Sequence, residues 1–223
     1  RLPNEGVMPV RVESEVRILH RPYQLDFQTL EVDIPEEGGL LEVEACGLCG
    51  TDHEQYSGAL PGPFPFIPGH EIVGVVRDIS SRTAERLGVA KGERVALDIF
   101  QSCRSCSACK EGDFRRCSAH GLLDTYGFIS TKKPPSLWGG YSRFVYLAED
   151  AVVHPVPSSL DPAVATLFNP LGAGIRWGVK VPRLEVGETV AILGPGIRGI
   201  SVLAACKSAG AGFCLVTGKG ERD

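Results

Sequence analysis

"ETVAILGPGIRGISVLAACKSAGAGFCLVTG", residues 188–218, is the stretch on which the fold turns. The apolar run "TVAIL" leads into glycines at 194, 196 and 199, the helix-like "ISVLAACKSAG" follows, and a second apolar run closes the stretch. Strand, glycine turn, helix and strand make the start of a parallel βαβ unit, the context in which G-x-G-x-x-G reads as a dinucleotide fingerprint. The glycines allow a tight turn and let a pyrophosphate approach the helix N-terminus. Gly194, Gly196 and Gly199 are therefore the expected cofactor contacts, while Arg198 within the turn either touches a phosphate or faces solvent. Two strands cannot cover both faces of a parallel sheet. The pattern breaks off at Asp223, so the cofactor domain is expected to be truncated here.

The carboxylate that would hold a ribose 2′-hydroxyl is expected about twenty residues past the turn, where this sequence has Gly218. With no carboxylate there a 2′-phosphate meets no repulsion, and Lys219 and Arg222 can pair with it. The reading leans to NADP over NAD, with Glu221 and Asp223 as substitutes for the missing acid.

Upstream, to about residue 155, the pattern is β-like. "LLEVEAC" (40–46), "HEIVGVVRDI" (70–79), "ERVALDIF" (93–100) and "YSRFVYL" (141–147) read as strands, separated by proline-rich turns such as "LPGPFPFIPG" and "KKPPS". From about residue 160 it becomes helical: "SLDPAVATLF" (159–168) offers Ser159 as an N-cap and a proline in the first turn. The expected organisation is a β-rich domain over 1–160, a helical bridge over 161–185 and the βαβ segment over 186–223.

Hydrophobic residues make up 43% of the 223, a globular rather than disordered composition. A net charge of −4 gives no support for a nucleic-acid or anionic-membrane surface. The longest apolar runs fall far below the roughly 18–20 residues of a membrane span. No secretory signal is visible, and the chain begins at Arg1 without a methionine, which leaves room for an upstream piece.

Four of the eight cysteines lie in "CRSCSACKEGDFRRC" (103–117), a clustering that favours metal in a reducing, cytoplasmic compartment over spread disulfides. Cys103, Cys106, Cys109 and Cys117 stand as C-x2-C-x2-C-x7-C, and short spacings let thiolates converge on one tetrahedral zinc at about 2.3 Å. Arg104, Lys110, Arg115 and Arg116 are interleaved with them and can offset the negative charge. One compact loop in an acidic chain reads as a structural zinc site rather than a nucleic-acid finger.

A second constellation begins in "ACGLCGTDHEQYSG" (45–58), where Cys46 and Cys49 precede Thr51, Asp52, His53 and Glu54, and continues in "FPFIPGHEIVGVV" (64–76) with His70 and Glu71. Cys49, His70 and a carboxylate form a three-ligand set with an open position, the pattern of a catalytic zinc. Singly, Cys49 could be a buried apolar residue and His70 a core histidine. Cys46 and Cys49 could also form a thioredoxin-like dithiol, but the pair lies in a β-rich region and is not expected to open a helix.

Together, "CGTD", "PGHEIVGVV", the four-cysteine lobe and the glycine-rich turn resemble the zinc-containing medium-chain alcohol dehydrogenases, from about residue 40 to the end, with the polyol (sorbitol-like) branch favoured. The resemblance implies an α/β protein with a β-rich part: a GroES-like β-barrel catalytic domain followed by the start of a Rossmann domain. It implies that Cys49 and His70 ligate a catalytic zinc, that Cys46 has no metal role, and that Glu71 ligates as in the polyol branch. Asp52 then orients the ligand histidine, and Thr51 accepts the substrate proton. Two positions depart from the family pattern. Glu54 stands where the proton relay's histidine is usual, with His53 one residue earlier. In "LFNPLGAG" (167–174), Asn169 replaces a Cys, Asp or Glu ligand, so the expected ligands are Cys49, His70, Glu71 and a water to which Asn169 is bonded.

The implied activity is zinc-dependent hydride transfer between an alcohol or polyol, or the matching carbonyl, and NAD(P), with one catalytic and one structural zinc per chain. The alternatives are a zinc-free NADP reductase of the same superfamily and a non-catalytic zinc-binding module. The implied partner is a small molecule, and the full-length protein is expected to be a homodimer or homotetramer. A chain ending at Asp223 is expected to be inactive alone. Trp138, Tyr56 and Phe168 are candidates for a substrate wall, although core packing suits each of them singly.

Overall fold

The structure is a computed structural model that describes residues 10–122 and 124–218. Lys219, Glu221, Arg222 and Asp223 lie outside the described residues. The chain divides into two compact units, residues 1–166 and 167–223.

The first unit opens with a long antiparallel hairpin, β1 (Val10–Arg21) and β2 (Gln24–Ile34). Next come β3 (Gly39–Gly47), α1 (Gly50–Ser57), β4 (Glu71–Ile79), α2 (Ser81–Leu87) and β5 (Arg94–Gln101). The cysteine lobe follows, with a single turn α3 (Ser107–Lys110) and a 3-10 turn at Phe114–Arg116. The unit closes with β6 (Phe144–Leu147), β7 (Ala151–Pro155) and α4 (Pro162–Ala165). Five strands form one antiparallel sheet in the order β6-β3-β4-β5-β7. The hairpin is fastened to the rest of the unit by bridges Val16–Ser142 and Leu19–Phe66, and Phe66 bridges on to Ser130.

β4 lies near the centre of the sheet, so Ile72, Val73 and Val76 are buried, and the apolar density of "HEIVGVV" follows from that position. Its first residue, Glu71, comes directly after His70, which places both where the central strand emerges from the sheet. The core gathers Leu41, Ile67, Ile72, Val95, Leu97 and Leu147 around Tyr126 and Trp138. The Tyr126 hydroxyl accepts from Ala148 N at 3.1 Å, and the Trp138 indole donates to Lys133 O at 2.8 Å, so each buried aromatic keeps its polar atom paired. Trp138 is thus a core residue, packed between Tyr126 and Tyr146. Tyr56 is partly exposed and packs edge-on against Tyr23.

Two local expectations need correction. Ser159 is not the N-cap of the helical segment; Asp161 is, its carboxylate accepting from the N–H of both Ala163 and Val164, with Pro162 just inside. One carboxylate beside the first turn satisfies two free donors, whereas Ser159 is two residues too early to reach them. Cys49 does open a helix. It caps α1, its sulfur accepting from Thr51 N while Asp52 returns a bond to Cys49 N, a reciprocal cap that makes a helix from a polar segment with little apolar periodicity.

The second unit begins with α5 (Phe168–Ile175), which runs into a π-helical turn at Arg176–Lys180. β8 (Thr189–Leu193), α6 (Ile197–Ser208) and β9 (Phe213–Thr217) follow, the two strands paired in parallel. This is the βαβ order anticipated from residues 188–218.

Candidate metal centres and dinucleotide turn

α1 and the approach to β4 build the first centre. Cys49 Sγ lies 3.1 Å from His70 Nε2, and the ligand atoms of Cys49, His70 and Glu71 are all within 4.8 Å of one another. A tetrahedral ion with bonds of about 2.0–2.3 Å sets its ligand atoms about 3.5 Å apart, so this donor set fits zinc in size and in chemistry. His70 and Glu71 are buried and Cys49 is half-buried.

Burial works against a Cys49 thiolate, but the hydrogen bond and charge of His70, joined by Thr51, outweigh it and hold the thiol below its ordinary pKa. Burial likewise works against protonated His70, yet Cys49, Asp52 and Glu71 together raise its pKa. The arrangement is already polarised toward a thiolate, the form that a metal requires.

Asp52 is buried at the centre of this group. Oδ2 accepts from Cys49 N at 2.9 Å, Oδ1 accepts from Gly69 N at 3.3 Å, and Oδ1 stands 3.6 Å from His70 Nδ1. It thereby fixes the backbone of both ligand segments. Thr51 is half-buried beside the sulfur, whereas His53 and Glu54 are exposed on α1. Cys46, next to last in β3, is a half-buried thiol whose pKa desolvation pushes up to about 12, unlike the reactive partner of a dithiol. Two neighbours carried no sequence signal of their own. Gln55, fully buried one turn after Asp52, donates to Gly127 O at 3.1 Å. Phe128 packs against the His70 imidazole at 5.7 Å between centroids.

The second centre is the lobe after β5. Cys103, Cys106, Cys109 and Cys117 bring all four sulfurs within 4.8 Å of one another. The Ser105 hydroxyl and the N–H groups of Cys106 and Ser105 lower Cys103 to about 5, and the N–H groups of Ser118 and Cys109 lower Cys106. Burial first, then the neighbouring cysteines, raises Cys109 to about 11. Four sulfurs so close need a cation before all of them ionise. The interleaved cations contribute unequally. Arg115 pairs with Asp113 and Arg116 with Asp113 and Glu111, while Arg104 donates to the carbonyls of Glu149 and Ala151. Hydrogen-bond donors from the loop itself are the main force lowering the thiols.

In the second unit, Gly194 has φ +106 and its N–H bonds Thr217 O at 2.8 Å, which ties the turn to the end of β9. A Cβ on Gly199 would stand 1.9 Å from Gly194 O, so no side chain fits there. Gly196 caps α6 and leaves the N–H groups of its first turn free of side-chain partners, the feature that suits a pyrophosphate. Arg198 is exposed and its guanidinium lies 5.6 Å over the Trp177 ring. Gly218 directly follows β9. Asn169 is half-buried in the first turn of α5, as is Phe168.

Among the described residues no helix is long and apolar enough to cross a membrane. The family model for the alcohol dehydrogenase GroES-like domain matches residues 36–158. "Probable alcohol dehydrogenase adh" of Mycobacterium tuberculosis is 54% identical over 212 residues, covering 95% of this chain and 56% of that protein. Sorbitol dehydrogenase of Bacillus subtilis is 32% identical over 205 residues, covering 90% and 54%. Among solved structures, an alcohol dehydrogenase from Thermotoga maritima superposes with a TM-score of 0.82 at 25% identity, covering 95% of this chain and 59% of that one. The chain spans about half the length of the curated relatives it matches.

Proposed function

The chain belongs to the alcohol dehydrogenase GroES-like domain family, among the zinc-containing medium-chain alcohol dehydrogenases, and from that premise we propose that it carries the zinc-binding catalytic domain of an NAD(P)-linked alcohol or polyol dehydrogenase. One observation carries this reading: Cys49, His70 and Glu71, drawn from α1 and the start of β4, converge within 4.8 Å.

Zinc held by these three residues would supply the Lewis acidity that eases loss of a proton from a substrate hydroxyl. Thr51, at the first turn of α1 beside the Cys49 sulfur, receives that proton and hands it on toward solvent, where His53 and Glu54 are exposed. Asp52 holds His70 and the Cys49 cap in place throughout. Gly194, Gly196 and Gly199 bind the pyrophosphate of the nicotinamide cofactor, which brings the hydride chemistry. Gly218 in place of an acidic residue supports NADP over NAD. Cys103, Cys106, Cys109 and Cys117 hold a second, structural zinc. A lobe of thiolates persists in a reducing compartment, which supports a cytoplasmic protein, and resemblance to the family supports a homodimer or homotetramer.

The test is dehydrogenation of primary alcohols, secondary alcohols and polyols with NAD or NADP by the protein that carries this chain. Removing a partner that only orients a ligand costs about 10–100-fold, so loss of the ligand itself in Cys49→Ala should exceed that range. Turnover of every substrate at the wild-type rate in Cys49→Ala would overturn the reading.

A further inference from the structure

Among the described residues, four buried side-chain polar atoms have no hydrogen-bond partner, and three of them gather about α1: Gln55 Oε1, His70 Nδ1 and the Tyr141 hydroxyl. A buried hydroxyl left unpaired is costly, so its place calls for a reason. Tyr141 is not positioned by accident of a loose loop. Its N–H donates to Pro68 O at 3.0 Å, its carbonyl accepts from Arg17 N at 2.7 Å, and Gly140 N donates to Gly69 O at 2.9 Å. These bonds lay the Tyr141 segment along the residues that lead directly into His70.

Gly69 is what lets the ring through. Its φ is +90, and a Cβ there would stand 2.7 Å from Tyr141 Cδ1 and 2.9 Å from Cys46 Sγ. Past that gap the hydroxyl comes close enough to Asp52 for the carboxylate charge to bear on it, though short of hydrogen-bond geometry. A tyrosine hydroxyl keeps its proton at neutral pH, and toward an ionised carboxylate, which only accepts, it can act only as a donor. A carboxylate has about four acceptor positions. Asp52 accepts from Cys49 N and Gly69 N and stands 3.6 Å from His70 Nδ1, which leaves an acceptor position for a further donor.

We infer that Tyr141 is a positioning residue for the metal centre: when the ion is bound its hydroxyl, unpaired here, closes onto Asp52 as a donor, and through Asp52 it fixes His70 and the Cys49 cap in the arrangement that holds the ion. The inference rests on the reading of Cys49, His70 and Glu71 as a zinc site. It adds a residue about seventy positions downstream that never touches the metal but sets how tightly it is held.

The test is zinc affinity by chelator competition, with the absorption spectrum of the cobalt-substituted chain as a second readout. Tyr141→Phe keeps the ring and removes only the donor. The expected result is about tenfold weaker binding at the Cys49 site, an altered cobalt spectrum and an unchanged four-cysteine ion. In an Asp52→Ala background the same substitution should cost nothing further, because its acceptor is gone. Unchanged affinity and spectrum in Tyr141→Phe, or an equal loss with and without Asp52, would overturn the inference while the two-ion wild type stands. A wild-type chain that binds one ion and keeps it in Cys49→Ala would remove the metal-site reading and the inference with it.

Discussion

Asp52 combines a helix cap with the support of both ligand segments, so its two roles can be separated by experiment. Asp52→Asn keeps the size but removes the charge facing His70. Zinc affinity at the Cys49 site is predicted to fall about 10–100-fold while the weakened cap costs about 1 kcal/mol, read by chelator competition and denaturant unfolding. Equal affinity in variant and wild type would contradict the role given to Asp52. Gly199 is a second residue with a sharp expectation. Because a methyl group would meet the Gly194 carbonyl, Gly199→Ala should destabilise the second unit by about 1–3 kcal/mol, and unfolding midpoints within error of wild type would refute it. Both positions could be read from sequence, since each belongs to a short motif whose chemistry depends on spacing. Tyr141, Gln55 and Phe128 could not. Tyr141 and Phe128 reach the Cys49 group from other segments through backbone pairing and ring packing, and Gln55, though on α1, is tied to the distant Gly127, contacts that no local pattern records.

Among the elements, the cysteine lobe is fastened to the sheet by charge. His120, three residues past Cys117, lies between Asp124 at 3.2 Å and Asp150 at 2.7 Å, while Arg86 pairs with Asp150 and Lys133 with Asp124. Burial works against both carboxylates, but these partners outweigh it and hold each below its ordinary value of 3.8. Groups with depressed folded pKa values add stability that is present above the unfolded value and lost as pH falls through the folded ones. Asp150→Asn should therefore lower stability by about 1 kcal/mol near neutral pH, with the gap from wild type closing as pH falls below about 4. A gap that stays constant down the acid limb of a pH series of unfolding curves would count against the assignment. The strands β3 to β6 were legible because their apolar runs are dense. The β1–β2 hairpin carried no such run, because charged residues are spread along it and Leu25 and Phe27 point outward. The short α2 was also missed: Ser80 caps it, and only Thr83 is buried, too little apolar periodicity to signal a helix.

For the whole molecule, the pattern changes from β-like to helical near residue 160, and the chain divides into two compact units, residues 1–166 with most of the strands and residues 167–223 with the βαβ order. What sequence left open is the metal content, because Asn169 breaks the family pattern while Cys49, His70 and Glu71 keep it. With Cys49, His70 and Glu71 as the protein ligands, Asn169→Ala should leave the zinc content unchanged; loss of an ion in that variant would make Asn169 a ligand. The most direct measurement is zinc per chain by elemental analysis, for the wild type and for Cys49→Ala. The expected content is about two, falling to about one in the variant. About one in both would contradict it and leave the four-cysteine lobe as the only metal site.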